Sequence, residues 1–386
     1  MRRIGLIAFL LVLTLNALGQ DKISILHGPY LQNLTESEVT IVWVSNNTSV
    51  GWVEIAPDDG SHYYATERPK VFDARNGIKT ESRVHSVKLT GLAPGTKYRY
   101  RVYSQEVIEH KGNSVIYGRT AATECYREEP LAFTTSDPAK KNVTFAMIND
   151  IHGHNDRLRT LLSYCDLKKT DFVTFLGDMA SIFNSEEQVF GDFMDTAVEL
   201  FASEIPMYYT RGNHETRGNI AYRFQDYFST LSEHIYYSYR QGPVYFIALD
   251  CGEDKPDSDI EYAGINVYDQ YRSEQAEWLK KIVATDEFKS APFKVVTIHM
   301  PPFVNWHGEI DIREKFLPIL NEAGIDIMLC GHYHEVIKKA AGEEAAFPIL
   351  VNSNDTVLKG EITSDRLSIV LLDESGKKVE EINIKK

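Results

Sequence analysis

The sequence lacks an excess of positive charge and, beyond its first 20 residues, any long apolar run. Its 386 residues include 41 Lys and Arg against 55 Asp and Glu, a formal net charge of −14. So acidic a chain is not expected to bind nucleic acid or anionic lipid as its main task, because both are held by clustered basic side chains. If a small partner is an anion, positive charge must come from a local source.

The sequence also has few cysteines. The four, Cys125, Cys165, Cys251 and Cys330, are scattered and show no CxxC spacing. A domain of this size does not need a disulfide, although an exported chain is permitted one. Cys165 in a predicted helix and Cys330 in the apolar run IDIMLC are interpreted as buried thiols, and the spacing leaves their pairing open.

The first 20 residues, MRRIGLIAFLLVLTLNALGQ, differ from the rest. Two arginines precede an apolar run over residues 4–15, and the small residues Ala17 and Gly19 follow it, which predicts a cleavable export signal over residues 1–19. A membrane anchor would need about 20 apolar residues, and Asn16 interrupts this run. Removal of the signal leaves 39 basic against 55 acidic residues, a charge of −16, and no membrane span. The mature protein is expected in the periplasm or outside the cell.

The chain is long enough for two or three domains, and its pattern changes near residue 140. Residues 22–136 contain short alternating apolar runs such as EVTIVWV and KYRYRVYS, which indicate antiparallel β-structure. The stretch LTGLAPGTKYRYRV, with Tyr98 after a Pro-Gly turn, resembles the corner of a fibronectin type III sandwich. After the polar linker SDPAKKN, buried-strand patterns alternate with helical ones over residues 141–386, which predicts an α/β core with mixed sheets.

Five of the apolar runs in the second region end in metal-binding residue types. The segments are NDIHGH, GDMAS, GNHE, TIHMPP and GHYH, and they contain Asp150, His152, Asp178, Asn213, His214, His299, His332 and His334. One such Asp or His is more often a turn or hydrogen-bonded residue. Five strand ends in succession are hard to obtain from turns, and loops at one edge of a sheet are where α/β proteins assemble sites.

Taken in order, these motifs resemble those of the calcineurin-like metallophosphoesterases, over essentially all of residues 141–386. The earlier segment HGPYLQNLTESEVTIVWVS resembles the N-terminal domain of purple acid phosphatases and their bacterial relatives. The resemblance implies a metallophosphoesterase β-sandwich flanked by helices, preceded by an all-β, fibronectin type III-like sandwich.

The same resemblance implies a centre of two divalent transition-metal ions, with Mn, Fe and Zn not distinguished. One ion would be held by Asp150, His152 and His334 and the other by Asn213, His299 and His332, with Asp178 between them. A bridging carboxylate holds two cations about 3.5–4 Å apart. Purple acid phosphatases carry a tyrosine where this chain has Ser181 and lack the histidine of the first motif, so a divalent pair is expected rather than a ferric centre.

The implied reaction is hydrolysis of a small phosphate monoester by a hydroxide held on the metals. His214 is expected to act as the acid, with Glu215 as a possible orienting partner. Asn213, Arg211 and His307 are candidate substrate contacts, although Arg211 could equally cap its strand and His307 could be an exposed loop histidine. A phosphodiesterase acting on cyclic nucleotides or phospholipid headgroups and a non-catalytic surface binding protein remain alternatives, and the oligomeric state is open.

Overall fold

The computed structural model describes residues 22–303 and 305–386, so the predicted export signal lies outside the described residues. Within these ranges, no helix combines the length and the apolar character needed to cross a membrane. All four cysteines fall within them and are free thiols.

From residue 22 onward, where the structure describes it, the first part of the chain is built from nine strands, and the alternating pattern predicts such β-structure. They are β1 Ile25–Gln32, β2 Glu38–Pro57, β3 Lys70–Phe72, β4 Ala74–Arg75, β5 Ile78–Lys79, β6 Glu81–Thr90, β7 Lys97–Lys111, β8 Ser114–Ala122 and β9 Leu131–Thr134. Strand β2 is central and pairs antiparallel with β1, β3, β6 and β7. Trp43, Val53, Tyr100 and Val102 form part of the buried core between these strands.

The second part contains two mixed sheets packed face to face. Its strands are β10 Asn142–Ile148, β11 Phe172–Phe175, β12 Met207–Tyr209, β13 Tyr237–Gln241, β14 Val244–Ala248, β15 Phe293–Thr297, β16 Ile327–Cys330, β17 Ile337–Lys339, β18 Ile349–Val351, β19 Thr356–Thr363, β20 Arg366–Asp373 and β21 Lys378–Lys385. One sheet runs β21-β20-β19-β10-β11-β12, and the other runs β13-β14-β15-β16-β18-β17. Strands β10 to β12 are mutually parallel, as are β14, β15, β16 and β18.

Helices cover the outer faces of both sheets. The α-helices are Asn155–Ser163, Glu186–Val189, Asp195–Ala197, Phe224–Tyr227, Tyr268–Val283, Asp286–Ser290, His307–Lys315 and Leu317–Ala323, and π-helical turns span Phe190–Met194 and Val198–Ala202. Short 3-10 helices lie at Leu167–Lys169, His214–Thr216, Ala221–Arg223 and Ile260–Tyr262. In the first helix Leu158, Leu161 and Leu162 are buried, the i, i+3, i+4 spacing of an amphipathic helix. Because helices cover them, the parallel strands are apolar almost throughout; all four residues of β11 and of β16 are buried.

The two parts share a sheet and a core. Strand β1 pairs parallel with β12, with Gln32 opposite Met207, so that one 13-stranded sheet among the described residues crosses the predicted boundary. Tyr30 belongs to the same buried cluster as Phe190, and its hydroxyl donates to the Tyr227 carbonyl at 2.8 Å. Packing of the first part against the second is therefore direct.

Candidate metal centre

The five predicted segments meet at one edge of the sandwich. They follow β10, β11 and β12 in the first sheet and β15 and β16 in the second. The pairing of Ile148 with Phe175, and of Phe175 with Tyr209, aligns the carboxyl ends of the first three strands. Parallel strands necessarily present their carboxyl ends to the same edge, which is where ligands bind in open α/β sheets.

The backbone at this edge is unusual. Eight non-glycine residues among those described have a positive φ angle, and five of them are predicted ligands: Asp150 (54°), His152 (49°), Asp178 (55°), His332 (79°) and His334 (55°). Such conformations are sparsely populated and persist where the surroundings impose them, typically at functional sites. Here the amides of Asp150 and His152 donate to the carbonyls of Gly177 and Asp178, each at 3.0 Å, and so hold the first two loops together.

The first predicted group of ligands converges. Asp150 Oδ1 lies 3.1 Å from Nε2 of His334 and 3.8 Å from Nε2 of His152. One ligand atom from each of the three residues lies within 4.8 Å of the others, a spacing that one metal ion can occupy. Asp150 is fully buried, whereas the side chain of His334 is 45% exposed, so this group opens to solvent.

The second group converges more deeply. Ligand atoms of Asp178, His299 and His332 also lie within 4.8 Å of one another. Nδ1 of His299 donates to the Leu176 carbonyl at 2.6 Å, which directs Nε2 toward Asp178 Oδ2 at 3.0 Å. The side-chain oxygen of Asn213 is buried and has no hydrogen-bond partner among the described residues. A buried polar atom without a partner is costly, and a metal ion would satisfy it.

Asp178 stands between the two groups. Its Oδ1 accepts a hydrogen bond from the backbone amide of His214 at 2.9 Å. Its Oδ2 lies 3.0 Å from Nε2 of His299 and 4.0 Å from Nε2 of His152, which belong to different groups. The position is the one expected of a carboxylate that bridges two ions.

The protonation equilibria reflect this crowding. Burial by itself would raise the pKa of Asp178, but the neighbouring imidazoles, His299 first, hold the pKa well below its ordinary value. Burial would likewise lower the pKa of His299, and the carboxylates of Asp178 and Asp150 raise it instead to about 10. Burial, reinforced by the charge of His299, lowers the pKa of His332 to about 4, which keeps that imidazole neutral and able to ligate a metal.

His214 and Glu215 face opposite ways. Nδ1 of His214 donates to the Ser181 carbonyl at 2.8 Å, which leaves Nε2 on the cluster side, 3.9 Å from Asp178 Oδ2. Glu215 is fully buried and accepts from the amides of Asp178 (2.9 Å) and Gly212 (3.0 Å). The partner that orients His214 is therefore Ser181, and Glu215 ties two loops of the site together.

Close backbone approach explains the glycines in these motifs. A Cβ atom on Gly212 would lie 2.2 Å from Asp178 Oδ1, and one on Gly177 would lie 2.6 Å from the Gly212 Cα. Gly177 also has a φ angle of 85°. The two loops can pass this closely only because neither residue has a side chain.

Arg211 and His307 are engaged elsewhere. The Arg211 guanidinium is buried, with Nη2 2.6 Å from Asp250 Oδ2 at the end of β14. This favours the strand-capping interpretation of Arg211 over a phosphate clamp. His307 begins the helix His307–Lys315, and its Nε2 lies 2.7 Å from Asp269 Oδ1.

A sixth strand end contributes to the site without having been predicted. Strand β18 ends at Val351, and the following Asn352 hydrogen-bonds through Asn149 to Asp150. The sequence signal was present in FPILVNSN, where an apolar run ends in amide and hydroxyl side chains. It resembled an ordinary turn because neither side chain is a typical metal ligand.

Comparison with known proteins agrees with this geometry. Residues 143–336 match the family model described as calcineurin-like phosphoesterase, and residues 29–119 match that of the purple acid phosphatase N-terminal domain. Purple acid phosphatase 22 of Arabidopsis thaliana is 25% identical over 293 residues, which are 67% of this chain and 62% of that protein. Probable purple acid phosphatase 20 of the same plant is 24% identical over 385 residues, 91% of this chain and 83% of that protein.

One solved structure has the same overall fold. A purple acid phosphatase from yellow lupin (Lupinus luteus) seeds superposes with a TM-score of 0.66 at 15% identity, covering 92% of this chain and 74% of the lupin chain. At that identity the likeness shows the fold alone. The predicted α/β sandwich preceded by an all-β part is confirmed.

Proposed function

The chain belongs to the calcineurin-like phosphoesterase family, and on this premise we propose that it hydrolyses phosphate monoesters at a centre of two divalent transition-metal ions. The observation that carries the proposal is the convergence of two ligand groups on Asp178, one with Asp150, His152 and His334 and the other with His299 and His332. Two sets of N and O donors sharing a carboxylate suit a metal pair of the kind that hydrolyses phosphoric esters.

The residues present fit such ions. The unpartnered oxygen of Asn213 supplies a neutral donor to the second group. Two carboxylates against two divalent cations leave net positive charge at the centre, which is the local source that an anionic substrate requires on so acidic a protein.

The chemistry divides between the ions and His214. When bound, two such ions would supply a nucleophile from water near neutral pH and positive charge opposite the phosphoryl oxygens. Nδ1–H of His214 is committed to the Ser181 carbonyl, so protonation of the ring places the second proton on Nε2, on the cluster side. That proton is available to the leaving oxygen of the ester, which is the role of a general acid.

The ions are proposed to be Mn, Fe(II) or Zn rather than a ferric pair. His152 belongs to the first ligand group, and Ser181 Oγ lies 3.4 Å from its Nδ1, at the position where a purple acid phosphatase would carry a tyrosine. Elemental analysis of the purified protein identifies the ions. A solution of the protein should be colourless.

A phosphodiester is the second candidate substrate. The two arginines that flank the GNHET segment are both paired with acids, Arg211 with Asp250 and Arg217 with Glu253. A monoester dianion carries more negative charge than a diester and benefits more from a free cation beside the metals. Because both arginines are paired, the diester stays a candidate substrate.

A third alternative, a binding protein without activity, is disfavoured because the ligand set is complete.

Export is a further part of the proposal. It is supported by the two arginines, the apolar run and the small residues within positions 1–19. N-terminal sequencing of the protein from a secreting host should find a chain that begins near residue 20. An intact N-terminus in the cytosol would contradict export.

The proposal is tested by stripping the mature protein with a chelator and adding Mn, Zn, Fe(II) or Mg in turn. Release of p-nitrophenol from p-nitrophenyl phosphate and from bis(p-nitrophenyl) phosphate is then compared, with Asp178→Asn as the control. Metal-restored hydrolysis that the control loses is expected, and the ratio of the two rates chooses between monoester and diester. A folded protein that binds no ions would contradict the proposal.

A further inference from the structure

We infer that Asn352 is a positioning residue for the metal centre: through Asn149 it selects which carboxylate oxygen Asp150 presents, and so sets the affinity for the ion held with His152 and His334. The inference rests on the proposed function, because it concerns the ligands of that centre. Neither amide is a predicted ligand, and both are almost completely buried, at 0% for Asn149 and 1% for Asn352.

The two asparagines connect the two sheets of the sandwich. Asn149 follows β10 in the first sheet, and Asn352 follows β18 in the second. Nδ2 of Asn352 donates to Asn149 Oδ1 at 2.6 Å, and Nδ2 of Asn149 donates to the Asn352 carbonyl at 2.9 Å. Turning the Asn149 amide over would break both contacts, and turning the Asn352 amide over would break the first of them.

Asn149 in turn uses its second amide hydrogen on Asp150. Nδ2 of Asn149 donates to Asp150 Oδ2 at 2.6 Å, and the backbone amide of His332 donates to the same oxygen at 2.9 Å. With Oδ2 occupied twice, Oδ1 is the oxygen that faces His334 and His152. Asp150 is thereby prepared to bind an ion through a single oxygen.

The orientation of Asn352 is itself determined. Its Oδ1 accepts from the Thr356 hydroxyl at 2.8 Å, and its Nδ2 also donates to the Thr356 carbonyl at 3.1 Å. A flipped amide would place its oxygen against the Thr356 carbonyl and against Asn149 Oδ1. Since acceptors repel one another in a buried site, only the observed orientation is stable.

The same turn holds a second ligand of the same ion. The Ser353 hydroxyl donates to the backbone carbonyl of His334 at 2.8 Å, and His334 has a φ angle of 55°. The His299 side chain of the other group is held by a different contact, with the Leu176 carbonyl at 2.6 Å. Loss of Asn352 should therefore weaken the binding of one ion and leave the binding of the other unchanged.

The test titrates metal-free protein with Mn²⁺ alone and follows binding by calorimetry and by electron paramagnetic resonance. Groups that hold metal ligands typically change metal affinity about 10–100-fold when removed. For Asn352→Ala we expect one ion to bind as in the parent chain and the other about 10–100-fold more weakly. At limiting Mn²⁺ the spectrum should change from that of a coupled pair to that of isolated ions.

Gln241→Ala is the matched control. Gln241 is a buried amide in β13 that donates to the Tyr208 hydroxyl at 2.8 Å and to the Leu34 carbonyl at 3.2 Å, outside the five predicted segments. Gln241→Ala removes two side-chain hydrogen bonds, against four for Asn352→Ala, and should keep both Mn²⁺ affinities. Ser353→Ala is a second, milder variant, and it should weaken the binding of the same ion as Asn352→Ala.

The outcomes separate the inference from the function on which it rests. Failure of the parent chain to bind Mn²⁺ would contradict the proposed metal centre itself. Two ions bound normally by a folded Asn352→Ala, or an equal loss in Gln241→Ala, would overturn the positioning role. If Asn352→Ala does not fold, Thr356→Val takes its place, because it removes the hydroxyl that orients the Asn352 amide. Unchanged Mn²⁺ affinity in that variant overturns the positioning role.

Discussion

The two sides of the candidate metal centre differ in their access to solvent. On the side defined here as buried, His299 and Asn213 are 0% and 1% exposed. On the side defined as open, the side chains of His152, His214 and His334 are 16%, 31% and 45% exposed. The two sides therefore differ in the exposure of these side chains, although the carboxylates Asp150 and Asp178 are both buried.

This difference assigns different tasks to the two sides. A ligand without access to water can be satisfied only by protein or by an ion, so an ion on the buried side offsets the cost of enclosing the Asn213 oxygen. On the open side water reaches the candidate ligands, so a substrate has room to approach them. Asp178 contacts histidines of both sides and couples them. We expect the buried side to retain its ion and the open side to bind the phosphate ester.

The largest expected effects come from removing one histidine on each side. His299→Ala should abolish metal-dependent hydrolysis and leave the Leu176 carbonyl without its donor. His334→Ala should also lose activity, but added imidazole should restore part of it, because this position is open to solvent. Measuring hydrolysis of p-nitrophenyl phosphate with and without imidazole compares the two. Equal rescue of both variants would show that the sides do not differ in access.

Removing the proposed acid from the open side should have the next largest effect. General acid catalysis typically contributes about 10²–10⁴-fold, so His214→Ala should lower kcat/KM for an alkyl phosphate by that range. The loss should be much smaller for p-nitrophenyl phosphate, whose leaving group needs little protonation. Bound metal, measured in parallel, should stay at two ions per chain. Equal losses on both substrates would remove the acid role from His214.

The pH dependence of the metal-free chain probes the buried side. His299, with its pKa raised to about 10 against an ordinary value of 6.5, contributes stability that is complete below pH 6.5 and is lost as pH rises toward 10. His332, with its pKa lowered to about 4, is neutral in the folded chain throughout, and its unfolded form loses its proton around the ordinary value of 6.5, so it adds no slope above about pH 7.5. A tenfold difference in proton affinity corresponds to about 1.4 kcal/mol, and the free energy of unfolding should fall by more than that.

Urea unfolding of chelated protein between pH 6.5 and pH 10 measures this loss. The metal-loaded protein is the control, because an ion on His299 displaces its proton and removes the share of the slope due to His299. Burial raises the pKa of the Cys165, Cys251 and Cys330 thiols, and their share of the slope is common to both forms. Asp178 has a depressed pKa, so its contribution is present above its ordinary value of 3.8 and does not change in this range. A metal-free chain whose stability falls no more than that of the metal-loaded protein between pH 6.5 and pH 10 would contradict the ion pair between His299 and Asp178.

The strand ends could be predicted from the sequence because the information is local. Apolar runs that end in Asp, Asn and His indicate both the strands and the candidate ligands, and parallel pairing brings the strand ends to one edge of the sheet. Roles that depend on a partner distant in the chain could not be predicted. For Arg211 the sequence left a phosphate clamp and a strand cap equally open, because its partner Asp250 lies 39 residues later. Asn352 lies 203 residues from Asn149, and no spacing rule connects them.

Backbone partners are a second kind of information that residue types do not carry. His214 is oriented by the carbonyl of Ser181, and a carbonyl has no sequence signature. The adjacent Glu215 was the natural candidate by proximity, but its carboxylate accepts from the amides of Asp178 and Gly212. The pairing of β1 with β12 was missed for a related reason, since each strand pattern is compatible with many neighbours.

The smallest expected effect separates the two contacts that Ser181 makes with the open side. Its carbonyl holds His214, and its hydroxyl lies 3.4 Å from Nδ1 of His152, at the long end of hydrogen-bond distances. Ser181→Ala removes the hydroxyl alone, so kcat/KM should change less than about threefold, in line with the roughly 0.5 kcal/mol of a peripheral substitution. A loss above about tenfold would assign the hydroxyl to the metal centre. Because the carbonyl survives any substitution at this position, the orientation of His214 depends on the path of the loop and not on the side chain of residue 181.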